Sequence, residues 1–292
     1  MNIDRQDIRP AAYAGSWYEG NPDRLRDTIE SYMEQAEITP GLGQIIGIIS
    51  PHAGHIYSGH VAGYAFKHII GEKYDTVVVI APNHSDPSLN FTSVYAKGGY
   101  ETPLGIIPVD IETASLIAEY DSADDIKISD YGHLSGFSGR IEHSLEIQLP
   151  FLQVAIGDFK IVPIVMGDRD GGVTSCAALG NAIVSAVKGK NALIVASTDL
   201  SHFHNAETLK KMDSIVSEHI SGYDPDALLR DISSGKCEAC GALPTAAAMI
   251  ACRKLGAVEG IVLKMANSGD VSGDYSSAVG YMAAVLTVSD KN

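Results

Sequence analysis

Six short apolar segments alternate along the chain with longer amphipathic segments. The apolar segments are nearly continuous and rich in Val, Ile and Ala, which is typical of strands buried on both faces of a parallel sheet. They span residues 43–50, 74–82, 159–167, 191–199, 260–267 and 278–288. Between them, helical periodicity predicts helices over residues 22–36, 58–70, 110–120, 144–156, 171–188, 206–220, 224–234 and 242–255. This alternation indicates an α/β fold with a largely parallel central sheet flanked by helices.

No Pro/Ser-rich linker, low-complexity segment or repeat of fixed period interrupts this pattern. We therefore expect a single domain that spans residues 1–292. Turn-forming residues are concentrated between residues 121 and 141, where we expect a loop or lid over the edge of the sheet.

The acidic composition of the chain argues against some classes of binding partner. The chain has 36 acidic and 21 basic residues and a formal net charge of −15. Nucleic acid and anionic membrane are therefore not expected as partners, because both attract clusters of Lys and Arg. The N-terminal residues lack the apolar core of a signal peptide, and no apolar run reaches the ~20 residues of a membrane-spanning helix. We expect a cytoplasmic protein whose four cysteines stay reduced.

Histidine residues follow three of the predicted strands. His52 comes after the strand at 43–50, His84 after the strand at 74–82, and His202 after the strand at 191–199. Ligands of open α/β sheets bind at the carboxyl ends of the strands, so these imidazoles are expected to converge on one site. The spacing from His52 to His84 is about that of one βαβ unit and predicts that they follow neighbouring strands.

Two further residues belong to this predicted crevice. Asp199 lies close to His202 in sequence and is expected to orient its ring or to act with it as an acid–base pair. His143 begins a predicted helix and either lies at the mouth of the crevice or only caps that helix. The other histidines lack this context and are expected at the surface or in supporting positions: His55, His60, His68, His133, His204 and His219.

Cys237 and Cys240 form a Cys-x-x-Cys pair. The second pair that a zinc ribbon would need is absent, so Cys240 is either a soft ligand of the histidine-rich site or a small buried hydrophobe. Cys240 is followed by Gly241 and then by a predicted helix, whose N-terminus would stabilise a thiolate. Two imidazoles and a thiolate favour iron, copper or zinc over magnesium or calcium. A Gly-x-Ser-x-Gly elbow and the nucleotide-binding fingerprints are absent, so a serine hydrolase and a nucleotide cofactor are not expected.

At these residues the sequence resembles the Memo family, also called AmmeMemoRadiSam system protein B, over nearly the whole chain. This family is similar in fold to the class III (LigB-type) extradiol dioxygenases. The residues that carry the resemblance are AGSWY at 14–18, PHAG at 51–54, PNH at 82–84, EHSLE at 142–146, STD at 197–199, Cys240-Gly241 and NSGD at 267–270.

The resemblance implies that His52, His84 and Cys240 are metal ligands. It makes His202 an acid–base histidine, with Asp199 and His143 beside it. The dioxygenases carry a carboxylate at the position of Cys240, and a thiolate there points to iron or copper and a redox role, with zinc as a further option.

Three functions remain open from the sequence. The first is a metal-dependent redox enzyme or dioxygenase-like oxygenase that acts on an unidentified small molecule or peptide. The second is a non-catalytic module that binds a peptide or phospho-ligand in the same crevice. The third is a zinc hydrolase with Asp199 or Glu142 as its base.

Overall fold

The computed structural model describes residues 4–120, 125–167 and 172–289. The strands are β1 Ile8–Arg9, β2 Ile45–Ser50, β3 Thr76–Pro82, β4 Thr92–Val94, β5 Gly99–Thr102, β6 Gly105–Pro108, β7 Ile126–Ile128, β8 Lys160–Met166, β9 Ala192–Ser197, β10 His202–His204, β11 Ala257–Asn267 and β12 Ala278–Val288. The α-helices are α1 Pro22–Gln35, α2 His55–Lys67, α3 Ile111–Ala118, α4 Leu149–Ile156, α5 Val173–Ala186, α6 Ala206–Ser221, α7 Pro225–Ser233, α8 Ala242–Lys254 and α9 Gly269–Ser272.

The central sheet has the strand order β10-β12-β2-β9-β3-β8-β4-β7, with β11 paired to β12. Its inner strands β2, β9, β3 and β8 are parallel and almost wholly buried, as their continuous apolar character predicts. The helices α1, α2 and α4 pack together as one group, and α3, α5, α7 and α8 pack as another. The sheet lies between these groups, so the predicted α/β fold is confirmed.

The sheet is mixed rather than parallel throughout. The strand β12 runs antiparallel to β2, and β4 runs antiparallel to β8. Residues 268–277 join β11 to β12, and this connection is too short for the crossover that parallel strands need, so the two strands pair antiparallel. The short strands β4, β5 and β6 were not predicted, since segments of three or four residues carry too little periodicity.

The predicted helix at 144–156 divides in the structure. A 3₁₀ turn covers Glu146–Gln148, and α4 then begins at Leu149 with Pro150 in its first turn. Proline has no N–H to donate and is tolerated in that first turn, where helical N–H groups have no intrahelical acceptor. The beginning of the predicted helix at 171–188 lies outside the described residues. So do residues 121–124 of the predicted loop, whose following residues 126–128 form β7.

Within the described ranges, no helix combines the length and apolar character needed to cross a membrane.

Asp213 is a buried carboxylate on α6 that faces β12. Its Oδ1 accepts hydrogen bonds from the backbone N–H of Ser201 (3.1 Å) and from the Ser201 hydroxyl (2.7 Å). Gly280 of β12 leaves the space that the carboxylate occupies, because a Cβ at Gly280 would collide with it. Burial disfavours the charged form and raises the pKa of Asp213 to about 6.

We expect the Asp213→Asn variant to be more stable than the native chain above about pH 6. The folded native chain keeps the Asp213 proton up to about pH 6, whereas the unfolded chain loses it near pH ~4. The free energy of unfolding therefore falls as the pH rises through this interval and is level above it. Asparagine keeps the Oδ1 acceptor without ionising, so the variant should gain ~1–3 kcal/mol at neutral pH and lose this pH dependence.

Urea denaturation of both proteins between about pH 4 and pH 8 measures the difference. The matched control is Asp158→Asn, which changes an exposed carboxylate. A variant whose stability follows that of the native chain at every pH would contradict this account of Asp213.

Candidate metal centre

Three histidine side chains meet at the carboxyl ends of the central strands. His52 follows β2, His84 follows β3, and His143 precedes the 3₁₀ turn before α4. The ring centroids are 5.2 Å apart for His52 and His84, 5.5 Å for His52 and His143, and 4.9 Å for His84 and His143. One ring nitrogen from each lies within 4.8 Å of the other two, which makes this cluster a potential metal site. The strand β9 lies between β2 and β3, so the prediction that His52 and His84 follow neighbouring strands was wrong.

The hydrogen bonds around His52 assign its tautomer. The Ser197 hydroxyl donates to the carbonyl oxygen of Ser144 (2.7 Å) and accepts from the side-chain amide of Gln148 (2.8 Å). Since its single proton is used, this hydroxyl accepts from Nδ1 of His52 at 2.9 Å. The Nε2 of His52 therefore keeps a lone pair that a metal ion can use. Burial, followed by the nearby imidazoles, lowers the pKa of His52 and keeps its ring neutral.

Glu142 orients the other two imidazoles. Its carboxylate lies 3.1 Å from Nδ1 of His84 and 3.0 Å from Nδ1 of His143. It also accepts hydrogen bonds from the backbone N–H groups of His84, Ser85, His143 and Ser144. Burial alone would raise the pKa of Glu142, but the hydrogen bonds from His143 and His84 hold it well below its ordinary value. Because an ionised carboxylate only accepts, both rings carry a proton on Nδ1 and leave Nε2 for a ligand.

This arrangement fits a metal ion. Histidines that bind metals usually donate their second ring N–H to a carboxylate or another fixed acceptor, which sets the tautomer and the orientation of the ring. Here Ser197 performs this role for His52, and Glu142 performs it for His84 and His143. The chain thus holds a histidine-rich potential metal site in which each imidazole has one nitrogen left for a ligand.

Cys240 lies at the side of this cluster. Its Sγ is 3.2 Å from Nε2 of His52 and accepts from the backbone N–H of Asp199 at 3.3 Å. It does not belong to the set of three whose ligand atoms all lie within 4.8 Å of one another. Burial, reinforced by the Asp199 carboxylate, raises the pKa of the Cys240 thiol, so the predicted stabilisation of a free thiolate at the helix N-terminus is outweighed. Cys237 is a separate free thiol buried in the core.

Asp199 and His202, the predicted pair, line the same cavity, and no described hydrogen bond joins them. Asp199 is buried, and its Oδ1 accepts from the backbone N–H groups of His52 (2.8 Å) and Ala53 (3.3 Å). It therefore fixes the loop after β2, and none of its described hydrogen bonds reaches the ring of His202. Burial raises the pKa of Asp199. His202 is half-buried at the start of β10 and lines the same cavity as the three clustered histidines.

A cavity of about 450 Å³ opens over the cluster. Besides the histidines and Asp199, its walls are largely apolar and include Trp17, Tyr57 and Tyr281. The ring of Trp17 lies 4.3 Å from that of His143, centroid to centroid. Sequence reasoning noted Trp17 only as part of the family resemblance. The available signal was that it is the single tryptophan of the chain.

A buried ion pair holds the segment that carries Trp17. The Arg9 guanidinium pairs with Glu146, and both side chains are almost completely buried. The Glu146 carboxylate also accepts from the backbone N–H of Tyr13 (2.9 Å) and from the Tyr18 hydroxyl (2.6 Å). These contacts place residues 9–18 beside the candidate metal centre.

Two histidines expected at the surface or in supporting positions are core residues. His133 is fully buried. Its Nδ1 forms a hydrogen bond with the Tyr100 hydroxyl, and its Nε2 lies 3.2 Å from the carbonyl oxygen of Ser93. His55 is 4% exposed and packs against Phe151 and Tyr18. In each of these two rings at least one nitrogen forms a hydrogen bond inside the protein. Such a bond allows a neutral imidazole to be buried.

Comparisons of the sequence with known proteins all point to one family. A family model described as Memo-like protein matches residues 9–285. A MEMO1 family protein of Methanothermobacter thermautotrophicus is 37% identical over 284 residues, which covers 94% of this chain and 98% of the relative. One of Nitrosopumilus maritimus is 36% identical over 282 residues, with coverage of 94% and 98%. The crystal structure of the uncharacterized protein JW3007 from Escherichia coli K12 has a TM-score of 0.52 at 11% identity and covers 82% of this chain and 99% of its own. This last similarity is one of fold alone.

Proposed function

This chain belongs to the Memo family, and on that premise we propose that it is a metal-dependent redox enzyme of dioxygenase-like architecture with an iron or copper ion at His52, His84 and Cys240. The observation that carries this proposal is the orientation of the imidazoles. Each has its Nδ1 held by a fixed acceptor, which leaves its Nε2 for a ligand, and one ring nitrogen of each lies within 4.8 Å of the other two.

Cys240 is our third ligand, and His143 is the alternative. The 3.2 Å between Sγ of Cys240 and Nε2 of His52 suits two atoms that share one ion, since Zn–S and Zn–N bonds are about 2.3 and 2.0 Å. A coordinating metal also deprotonates a thiol whose pKa is otherwise raised by burial. His143 belongs to the same compact set and would replace the sulfur if the ion lies further toward Glu142.

A bound iron or copper ion would supply one-electron chemistry and polarise an oxygen atom of the substrate. The protein residues then have separate tasks. Asp199 fixes the backbone that carries His52, and Glu142 fixes the rings of His84 and His143. His202 lines the cavity and can exchange a proton with a substrate there. The apolar walls around Trp17 and Tyr281 favour a small organic molecule and keep water from it.

The proposal is tested by metal binding to protein stripped with chelator and reloaded under anaerobic conditions. We expect the native chain to retain about one Fe(II) or Cu(I) ion per chain, measured by elemental analysis after desalting. With Co(II) as a probe, we expect a thiolate-to-cobalt absorption band that is lost in Cys240→Ser. The matched control is Cys252→Ser, a buried free cysteine that packs against Gly47.

Two outcomes would change the proposal. Absence of this band in the native chain, with metal retained in Cys240→Ser and lost in His143→Ala, would give the third position to His143. Failure of the native chain to retain any of these ions would favour the non-catalytic binding module instead.

A further inference from the structure

A second cavity shares part of its wall, including Trp17, with the cavity over the histidine cluster. It measures about 330 Å³ and is lined by residues 15–19 together with Thr28, Tyr32, His55 and Ile56. Ser16, Trp17 and Ile56 line both this cavity and the one over the histidine cluster. We call it the Tyr32 cavity. It contains none of the candidate metal ligands, and the metal proposal gives it no role.

His55 provides an unused hydrogen-bond acceptor in this wall. Its Nε2 lies 3.1 Å from the carbonyl oxygen of Ile147, so Nε2 carries the proton and donates it there. Its Nδ1 then keeps a lone pair, and no donor in the part of the chain that the structure describes reaches it. A buried acceptor without a donor is unfavourable, and a ligand N–H would relieve this cost. Burial lowers the pKa of His55 to about 4, so the ring is neutral at pH 7 and accepts rather than repels a cation.

The other walls also favour a positive ligand. Trp17, Tyr18 and Tyr32 contribute aromatic rings, whose faces attract cations. The carboxylate of Glu19 is the single charged group among the described lining residues, and no Lys or Arg is among them. The net charge of −15 further favours the approach of cations.

These walls are fixed by the packing of α1 on α2. The ring of Tyr32 lies over Gly59 and its backbone over Gly63, where a Cβ on either glycine would collide with it. The carbonyl oxygen of Trp17 accepts the backbone N–H of His55 at 2.8 Å, which ties the N-terminal segment to the beginning of α2. The cavity is therefore formed by positioned side chains on two helices and an anchored segment rather than by a loop alone.

We propose that the Tyr32 cavity binds a small organic cation that carries an N–H group, such as an alkylammonium or guanidinium ion. Its N–H donates to Nδ1 of His55, and its charge lies among the aromatic faces of Trp17 and Tyr32 and the carboxylate of Glu19. This site is independent of the metal proposal, since it shares with it only part of a wall.

Trp17 is the single tryptophan of the chain, so its fluorescence reports on this cavity. The metal-stripped full-length protein is titrated with n-butylammonium chloride and, separately, with the neutral isostere 1-butanol. We expect a saturable change with n-butylammonium and binding of 1-butanol weaker on the order of tenfold. Tetramethylammonium, which has no N–H, should bind more weakly than n-butylammonium.

Variants locate the bound cation. His55→Phe keeps a ring but removes the acceptor and should weaken binding on the order of tenfold. Tyr32→Leu should weaken it by several-fold, and this variant serves as the second test if His55→Phe does not fold. Glu30→Gln removes an exposed carboxylate of α1 outside the cavity lining and should leave binding unchanged.

Three results would overturn the proposal. Equal affinity for 1-butanol would show that the positive charge does not contribute and that the cavity binds apolar groups only. Undiminished binding in both His55→Phe and Tyr32→Leu would show that the cation does not bind in this cavity. Loss of binding in His84→Ala, with both of those variants unaffected, would place it over the histidine cluster instead.

Discussion

Replacing His84 by alanine is expected to lower the affinity for the bound metal ion by at least ~100-fold. His84 supplies a candidate ligand nitrogen that belongs to both possible sets of three donors, with Cys240 or with His143. Its side chain is 34% exposed, so the truncation creates no buried void and the variant should fold normally. Glu142 keeps the N–H of His143 and its backbone donors, so its charge stays compensated.

The measurement is competition of Fe(II) or Zn(II) against a coloured chelator, with thermal denaturation of the stripped protein as a check on folding. The control variant is His60→Ala, which removes a half-buried imidazole of α2 that lies outside the cavity over the cluster. Equal metal affinities in His84→Ala and the native chain would show that His84 is not a ligand. A loss of affinity in both variants would point to a general change of the protein instead.

Replacing Arg9 by methionine is expected to destabilise the fold by ~3–5 kcal/mol. Methionine matches much of the volume of the arginine stem but leaves the Glu146 carboxylate buried without its cation. Arg9 also donates to the carbonyl oxygen of Glu142 at 2.6 Å, and this contact is lost as well. The double variant Arg9→Met with Glu146→Gln should recover part of the loss, because neither partner then carries an isolated charge.

Urea denaturation measures these changes, and the emission of Trp17 in the absence of urea shows whether the N-terminal segment has moved. Lys211→Met is the matched control, because it removes the cation of an exposed ion pair with Glu207 on α6, and no measurable change is expected. A loss of stability in Arg9→Met no larger than in this control would show that the buried pair does not hold the segment.

The strand pattern predicted the framework of the site well. Buried parallel strands have continuous apolar sequences, and the residues that follow them are brought to one edge, so His52, His84 and His202 were predicted to converge, and all three line one cavity. The order of strands was not encoded in this way, because β9 enters between β2 and β3 from a distant part of the sequence.

The supporting contacts could not be predicted from local sequence. Arg9 lies in a segment without periodicity, and its partner Glu146 is 137 residues away. The position of His143 in the cluster depends on Glu142, whose carboxylate contacts His84, 58 residues away in the sequence. Likewise, position before a helix favoured a thiolate at Cys240, but only the folded structure shows the burial that raises its pKa.

The ion pair between Arg9 and Glu146, together with the position of Cys240 beside His52, has a consequence for biosynthesis. Residues near the site come from the beginning, the middle and the last quarter of the chain. During synthesis, His52 and His84 leave the ribosome long before the segment that carries Cys240 is made. The proposed ligand set of His52, His84 and Cys240 is therefore complete only on a nearly finished chain, and with that set metal insertion should follow synthesis rather than guide it.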